Sequence, residues 1–466
     1  MKKLFTLLAV ICLALNASAQ YQVANSDFEK WTASSGEPAH WHGFKSAKGS
    51  FASLAKGTLA SSTDVRTGAS GKKCAVITSG SVLGIVNNGT FTTGQLQAGN
   101  MSAANTANHA EMDKSSDATD KNGDKFYMPL TGHPDAMVFW YKFTQGTAQS
   151  TYKYASANAV LFDGTYYQDP EDKEYSNVVA KANNKSITTT TTWTKLTVPF
   201  EYKSNNVTPQ AILVTFGTNA SPGKGSDGDK VWIDDLELVY NHELDSVTYN
   251  GTSVTVAPSM DLHDQYYDKS KLVLTHNAKG NATIDDSNYN KATGLLTITV
   301  YGEDYGTDTD TLFQNPNSYT TYTIQFKPYE AELLSLTYDG KSLPLDAANM
   351  TEAVITGPFD DTKLSYTQSD YATVQVNEYY EEERLLSLDV TSKDGGASNT
   401  YEIQLYYKGD VNNDGSVTIA DVTSLVNIIL GKATDYKEAI ADVNGDGSVT
   451  IADVTALVNI ILGKQN

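Results

Sequence analysis

From residue 74 to residue 240 the apolar positions fall in short runs: Cys74–Ile77, Met137–Phe143, Leu196–Tyr202, Ala211–Phe216 and Lys230–Tyr240. Each run is rich in β-branched and aromatic residues and is bounded by Gly, Asn, Asp or Ser. Runs of this length and composition predict strands, and their spacing predicts a β-sandwich. The stretch 94–125, polar and rich in Ala, Asn, Asp and Ser, predicts a long surface loop; Thr188–Thr192 predicts an edge strand.

After residue 240 the pattern alternates, and it repeats. Glu243-Leu244-Asp245-Ser246-Val247-Thr248-Tyr249-Asn250-Gly251 returns as Glu332-Leu333-Leu334-Ser335-Leu336-Thr337-Tyr338-Asp339-Gly340. Leu295–Val300 returns as Leu385–Val390, and Thr321–Phe326 as Thr400–Leu405, in the same order. Alternation closed by Asn-Gly or Asp-Gly is a hairpin signal. Two copies of one small module follow, residues 242–328 and 329–407, best fitted by immunoglobulin-like sandwiches acting as spacers. Beyond residue 418 the period lengthens. Ile419, Val422, Leu425, Val426 and Ile429 fall on one helical face, with Gly431 as the stop. The fold class expected is therefore mostly β: an N-terminal β-sandwich, two small Ig-like β-sandwiches, and a small α-helical C-terminal domain.

All five Trp precede residue 240, marking residues 20–241 as one large first domain. Ahead of it, Met1-Lys2-Lys3, the apolar run Leu4–Leu15 and Ala17-Ser18-Ala19 have the layout of a secretory signal peptide, residues 1–19, cleaved before Gln20. That run is too short to span a bilayer, and no second run is long enough, so no transmembrane segment is expected. A lipid-modified Cys12 is the alternative, weakened by the lack of small residues before it. The chain is thus expected to be exported: periplasmic, cell-surface or extracellular in a bacterium. Cleavage leaves Cys74, without an intrachain disulfide partner and in an apolar stretch that predicts burial. The net charge is −21, and only Arg66 and Arg384 among the 34 basic residues are arginine. That balance argues against nucleic acid as a partner, because phosphate neutralisation needs a basic face.

The strongest chemistry lies at the end of the chain. Gly409–Lys432 and Ala441–Lys464 agree at 21 of 24 positions. Each opens with a twelve-residue acidic loop. Positions 1, 3, 5, 9 and 12 are Asp410, Asn412, Asp414, Thr418 and Asp421 in the first copy, and Asp442, Asn444, Asp446, Thr450 and Asp453 in the second. A hard cation such as Ca²⁺ takes six to eight oxygens, and this spacing supplies them, with the Ser416 and Ser448 carbonyls at position 7. Gly415 and Gly447 hold position 6, where the turn needs a residue without Cβ. Ordinary Asn/Asp-Gly turns could give one such loop but not two near-identical ones. Two Ca²⁺ ions are expected here.

This region resembles a type I dockerin, the calcium-folded module that binds cohesin domains in polysaccharide-degrading assemblies. Asp at position 12, in place of the EF-hand Glu, is a dockerin habit. The resemblance implies that a cohesin-like partner is read at loop positions 10 and 11 and at two later helix positions. Those are Ile419, Ala420, Val426 and Asn427 in one copy, and Ile451, Ala452, Val458 and Asn459 in the other. Many dockerins carry Ser-Thr at the first pair, and the apolar residues here put a standard cohesin in question.

The first domain opens with Asn25-Ser26-Asp27-Phe28-Glu29 and closes with Asp234-Asp235-Leu236-Glu237-Leu238, a bracketing similar to that of carbohydrate-binding jelly rolls. Gly132-x-Pro134, Phe139–Phe143 and Gly223–Asp229 tighten the likeness to a family of carbohydrate metabolism domains in exported proteins of glycan-degrading bacteria. That family supplies no catalytic residues to transfer. A polysaccharide or glycan would be met by aromatic faces and hydroxyl-bonding groups. The candidates are Trp41 and the segment Asp163, Tyr166, Tyr167 and Gln168; Trp140, in a Phe-Trp-Tyr strand, reads as core. Jelly rolls often carry a structural calcium between first and last strands, and Glu29 with Asp235 would suit a third ion, although two solvated carboxylates fit equally.

Other signals lead nowhere in particular. Gly223–Gly228 matches a dinucleotide fingerprint but lacks the following helix and reads as a hairpin loop. His40-x-His42 could place two imidazoles on one strand face, with no third ligand legible. Glu381-Glu382-Glu383 reads as a solvated turn, and no G-x-S-x-G elbow occurs. The expected function is an exported, multimodular glycan-binding or polysaccharide-utilisation accessory protein with a calcium-dependent docking module. The alternative is a glycoside hydrolase with its active site in residues 20–241, which would need two carboxylates ~5–10 Å apart.

Overall fold

The structure, a computed structural model, describes residues 20–464 except 70, 205, 308, 309 and 311. The signal segment expected at residues 1–19 lies outside the described residues. The chain is mostly β, and among the described residues its α-helices lie in the C-terminal region. It divides into two compact units, and the division runs through the first repeat. One unit holds the chain up to Val256 with Leu272–Asp285 and Thr299–Thr321; the other holds Ala257–Lys271, Asp286–Ile298 and the chain from Tyr322 on.

The first unit is built on two five-stranded antiparallel sheets. One runs in the order Thr58–Ser62, Cys74–Thr78, Lys230–Val239, Ala136–Thr144, Thr190–Pro199. The other runs Glu201–Tyr202, Val178–Ile187, Ala155–Phe162, Ala211–Gly217, Thr90–Thr92. The strand runs legible in the sequence are present except that Leu196–Tyr202 is divided after Pro199, with Glu201–Tyr202 passing to the opposite sheet, and Thr190–Thr192 begin an edge strand. Aromatic rings from both sheets meet in the core: Phe91 stacks on Phe216 at 5.2 Å, Phe139 meets Phe216 edge-on at 5.0 Å, and Trp41 lies 5.2 Å from Phe91.

Three expectations need correction here. Residues 94–125 are not one loop: Gln95–Ala98 and Asn108–Met112 pair antiparallel, with Tyr167–Asp169 as a third strand. Their inward positions are few and small, Leu96, Ala98, Ala110 and Met112, so the apolar signal is faint. Gly223–Gly228 is not a hairpin loop, because the strands on either side belong to opposite sheets. Trp140 is half-buried on the far side of its sheet, where the Arg66 guanidinium covers its ring at 4.7 Å. On the same sheet Lys142 lies 5.2 Å from the Trp193 ring and 5.1 Å from Trp232. Cations therefore occupy the ring faces that a sugar would need.

The sequence repeat is also a repeat of topology. In the first copy Leu244–Tyr249 is flanked by Thr252–Val254 and Leu272–His276; in the second Leu333–Tyr338 is flanked by Lys341–Ser342 and Leu364–Gln368. Each copy adds a four-stranded sheet with one parallel pair, Ser259–Tyr266 on Tyr319–Lys327 and Thr351–Ile355 on Ser398–Tyr407. The turns are Asn250-Gly251 (φ 50° and 77°) and Asp339-Gly340 (φ 50° and 75°). Positive φ at both central residues is what a two-residue hairpin requires, and Asn, Asp and Gly bear it best.

The C-terminal module has helices α1 (Ile419–Ile429), α2 (Glu438–Ala441) and α3 (Ile451–Ile461). Leu425, Ile428, Ala441, Val443, Ala456 and Leu457 form its core. The helical face read from the sequence is corrected at its ends. Ile419 and Ile429 are exposed and Ile428 is buried, because the inward stripe follows the helix partner through Leu425 and Ile428. Gly431 and its counterpart Gly463 both take φ 66° at the helix ends. Among the described residues no helix is long and apolar enough to cross a membrane.

Candidate functional site

The two acidic loops fold alike. In the first, Asp410 Oδ1 accepts from the Asp414 N–H at 3.0 Å and its Oδ2 from the Gly415 N–H at 2.9 Å. In the second, Asp442 accepts from Asp446 at 3.1 Å and Gly447 at 3.0 Å. The position-6 glycines take φ 92° and 82°, the left-handed turn that draws the loop around its own first carboxylate. Position 12 closes each loop from the helix side. Asp421 accepts from the N–H groups of Asn412 (3.0 Å) and Thr418 (2.8 Å), and Asp453 accepts from Asn444 and Thr450 at the same two distances. Asp421 and Asp453 are also the N3 members of capping boxes with Thr418 and Thr450.

The charge arrangement calls for a cation. Asp410, Asp421 and Asp453 are buried. Burial pushes the Asp410 carboxyl up, and the neighbouring Asp421 charge adds to it. A hard, oxygen-preferring ion is the group that this donor set fits: carboxylates, an amide and a threonine within twelve residues. The two loops differ in their surroundings. Arg384 donates to Asp410 Oδ2 at 2.8 Å, whereas Asp442 is more open and has no described ion pair.

Of the residues expected to read a partner, Ile419 is 70% and Ile451 69% exposed. Ala420 and Ala452 are exposed beside them; Val426, Asn427, Val458 and Asn459 are half-buried. Leu430 and Leu462, also exposed, extend the apolar surface at equivalent positions of the two helix ends.

In the first unit the expected sugar residues do not converge. Trp41 and Tyr167 are fully buried and Gln168 is buried, so these three are core and not platform. Trp41 donates its indole N–H to the Ala24 carbonyl at 3.1 Å. Tyr166 remains exposed, its hydroxyl donating to Gln168 Oε1 at 2.9 Å, and Asp163 is half-buried and accepts from Thr165 N–H and Oγ1. Glu29 and Asp235 have separate partners: Glu29 accepts from the Lys72 and Lys73 N–H groups, and Asp235 pairs with Arg66. The third ion expected between them finds no shared pair. Cys74 is buried as expected, and burial pushes its thiol up to about 12. Glu381–Glu383 are exposed.

What the sequence did not disclose is a groove of about 500 Å³ beside these candidates. Asn158, Lys185 and Thr215 line it from one sheet and Asp169 from the neighbouring small sheet, with Phe44, Leu54, Leu83 and Met101 on loops around it. Leu83, 85% exposed on the tip of its loop, stands out among the apolar rim. The amide oxygens of Asn88, Gln97 and Asn158, all in the lining, have no hydrogen-bond partner. Asn158 donates to Asp169 Oδ2 at 3.2 Å, and burial pushes the Asp169 carboxyl up. Asp169 is the one carboxylate among the described lining residues. The available signal was isolated large apolar residues in otherwise polar loops.

Comparison with known families and structures gives the following. Residues 408–462 match the type I dockerin domain, a family whose members bind calcium. No curated protein sequence matches the chain significantly. Among solved structures, a candidate glycoside hydrolase from Bacteroides thetaiotaomicron is similar at 16% identity and TM-score 0.30, over 40% of this chain and 57% of that one. The chain thus covers little more than half of that protein. A second candidate glycoside hydrolase, from Bacteroides vulgatus, is similar at 18% identity and TM-score 0.30, over 39% of this chain and 76% of that one. A carbohydrate-binding module specific for non-crystalline cellulose is similar at 10% identity and TM-score 0.22, over 47% and 96%.

Proposed function

We propose that this chain is an exported, multimodular glycan-binding or polysaccharide-utilisation accessory protein that docks onto a partner through a calcium-folded C-terminal module. The duplicated loop–helix unit carries the reading. It has a full set of oxygen ligands in each copy and lies in the segment that matches the dockerin family. Two Ca²⁺ ions bind, one per loop, held by Asp410, Asn412, Asp414, Ser416, Thr418 and Asp421, and by Asp442, Asn444, Asp446, Ser448, Thr450 and Asp453. The ions offset the buried carboxylates and fix the start of α1 and α3. The docking face is apolar, with Ile419 and Ile451 at its two equivalent points, and its partner is a cohesin-like protein. The two repeats are Ig-like spacers.

The glycan part of the reading rests on the groove. Polar side chains of the lining, Asn158 and Lys185 among them, meet sugar hydroxyls, and the apolar rim covers C–H faces. A glycosidase needs a pair of carboxylates, and the groove lining offers Asp169 alone, so binding without cleavage is the reading favoured.

Calorimetric titration of the mature chain with Ca²⁺, together with a glycan array and product analysis, tests the proposal. Two ions per chain and retention of an unmodified glycan are expected. Release of new reducing ends would replace binding by hydrolysis, and absence of calcium uptake would remove the docking module.

A further inference from the structure

The first unit holds a polar cluster that neither the groove nor the calcium loops use. Two loops, around residues 31–42 and 119–125, bring Glu37, His42 and Asp120 together, with one ligand atom of each within 4.8 Å of the others. His42 and Glu37 are fully buried, and the Asp120 side chain is 1% exposed. His42 is fixed to the sheet by paired backbone bonds with Thr92 at 2.8 and 2.9 Å, and its ring packs 4.5 Å from that of Phe126. His40, which the sequence could have placed beside it, turns away at φ 66° to the exposed side near Asp124.

The hydrogen bonding of the cluster is incomplete on the side where its members face one another. Neither ring nitrogen of His42 has a hydrogen-bond partner, and neither does Glu37 Oε2. The Lys125 carbonyl is near enough to favour a protonated ring but meets neither nitrogen in hydrogen-bond geometry. Glu37 Oε1 is occupied by the Gly43 N–H at 2.8 Å. Asp120 is oriented by the Asn122 N–H and Nδ2 (both 2.7 Å) and the Asp124 N–H (3.0 Å), and Asn122 in turn bonds Ser34 and Ser35 on the opposing loop. The loops are therefore built to hold these three side chains, yet both His42 nitrogens and Glu37 Oε2 are left unsatisfied beside the oriented Asp120 carboxylate, an arrangement that proteins avoid unless something fills it.

We propose that Glu37, His42 and Asp120 bind one divalent d-block cation of the zinc type, which clamps the two loops together. An imidazole nitrogen with two carboxylate oxygens is a zinc-type donor set, whereas calcium takes oxygens almost throughout. Two carboxylate charges neutralise a dication, so the buried cluster becomes uncharged overall. Burial pushes His42 down to about 4, which leaves its lone pair free at neutral pH.

The test uses the full mature chain, untagged, stripped with chelator and then saturated with Ca²⁺ so that the C-terminal loops do not take up the probe. Zn²⁺ is titrated by calorimetry, and Co²⁺ by its visible d–d absorption. One equivalent of each is expected. His42→Gln and Asp120→Asn should each weaken binding by more than about a hundredfold, since even outer partners of metal ligands act on that scale. X-ray absorption on the wild-type zinc form should show one imidazole among oxygen ligands, a readout independent of how the variants fold. Absence of saturable Zn²⁺ uptake by the wild type overturns the proposal, as does uptake unchanged in both variants.

Discussion

Arg384, one of two arginines in the chain, donates to the carboxylate of Asp410, the first residue of the first acidic loop, at 2.8 Å. Both side chains are largely withdrawn from water. Among the described residues the second loop has no such link, so near-identical sequences sit in unlike settings. A charge-assisted bond to a buried carboxylate contributes about 1.5–3 kcal/mol. Arg384→Gln should therefore destabilise the calcium-loaded C-terminal module by about that amount, read from its unfolding transition in denaturant. An equivalent change at exposed Lys341 should leave the transition in place.

Calcium removal should melt residues 408–466 and spare the β modules. With millimolar calcium and a Kd near 10⁻⁵ M, each ion adds roughly 2.7 kcal/mol. Circular dichroism in chelator should lose the helical signal and keep the β signal, while Asp421→Ala should abolish uptake at one loop.

The matched exposure of Ile419 and Ile451 predicts two equivalent docking surfaces. Ile419→Asp or Ile451→Asp alone should leave capture of a cohesin domain nearly intact, and the double substitution should abolish it. The contact should be only weakly sensitive to salt, because it is apolar.

Asp234 gives the first unit a specific pH dependence. Its carboxyl is buried, and burial pushes it up to about 7, with the Asp235 charge adding. The folded state thus holds this proton more tightly than the unfolded state, whose value is near 3.8. Stability contributed by the protonated group is full below about pH 4 and is lost as pH rises through 7, by at most about 4 kcal/mol. Asp234→Asn should raise the melting temperature of this unit at pH 8 and give no gain at pH 4, measured by scanning calorimetry.

Around the groove, Asn158→Ala should weaken glycan binding about tenfold, the scale of one lost hydrogen bond of about 1.4 kcal/mol. Tyr167→Ala should act differently. It empties a fully buried position and should cost about 3–5 kcal/mol of stability, as large aromatic truncations do.

How much was legible in the sequence depended on chain distance. The acidic loops were legible residue by residue because each is made by twelve consecutive positions. The repeat and its Asn-Gly and Asp-Gly turns were legible for the same local reason. The groove and the Glu37–His42–Asp120 cluster join loops tens of residues apart, and the spacing of His40 and His42 pointed to a pairing that the backbone at His40 prevents. Trp41 and Tyr167 have the chemistry of sugar contacts, and only burial shows them to be core. Trp140 failed in the opposite direction, because its strand carries large residues toward both faces of the sheet.

Asp421 and Asp453 each close an acidic loop, as the last of its proposed ligands, and hold the N3 place in the capping box that starts the following helix, and the two helices share one core. Ion capture and helix initiation are therefore one event in each copy, and neither copy can complete its packing without the other. Falling calcium would erase the docking surface as a whole instead of lowering its affinity by degrees. Attachment and release would then be set by the ionic composition of the medium, with no change in the partner.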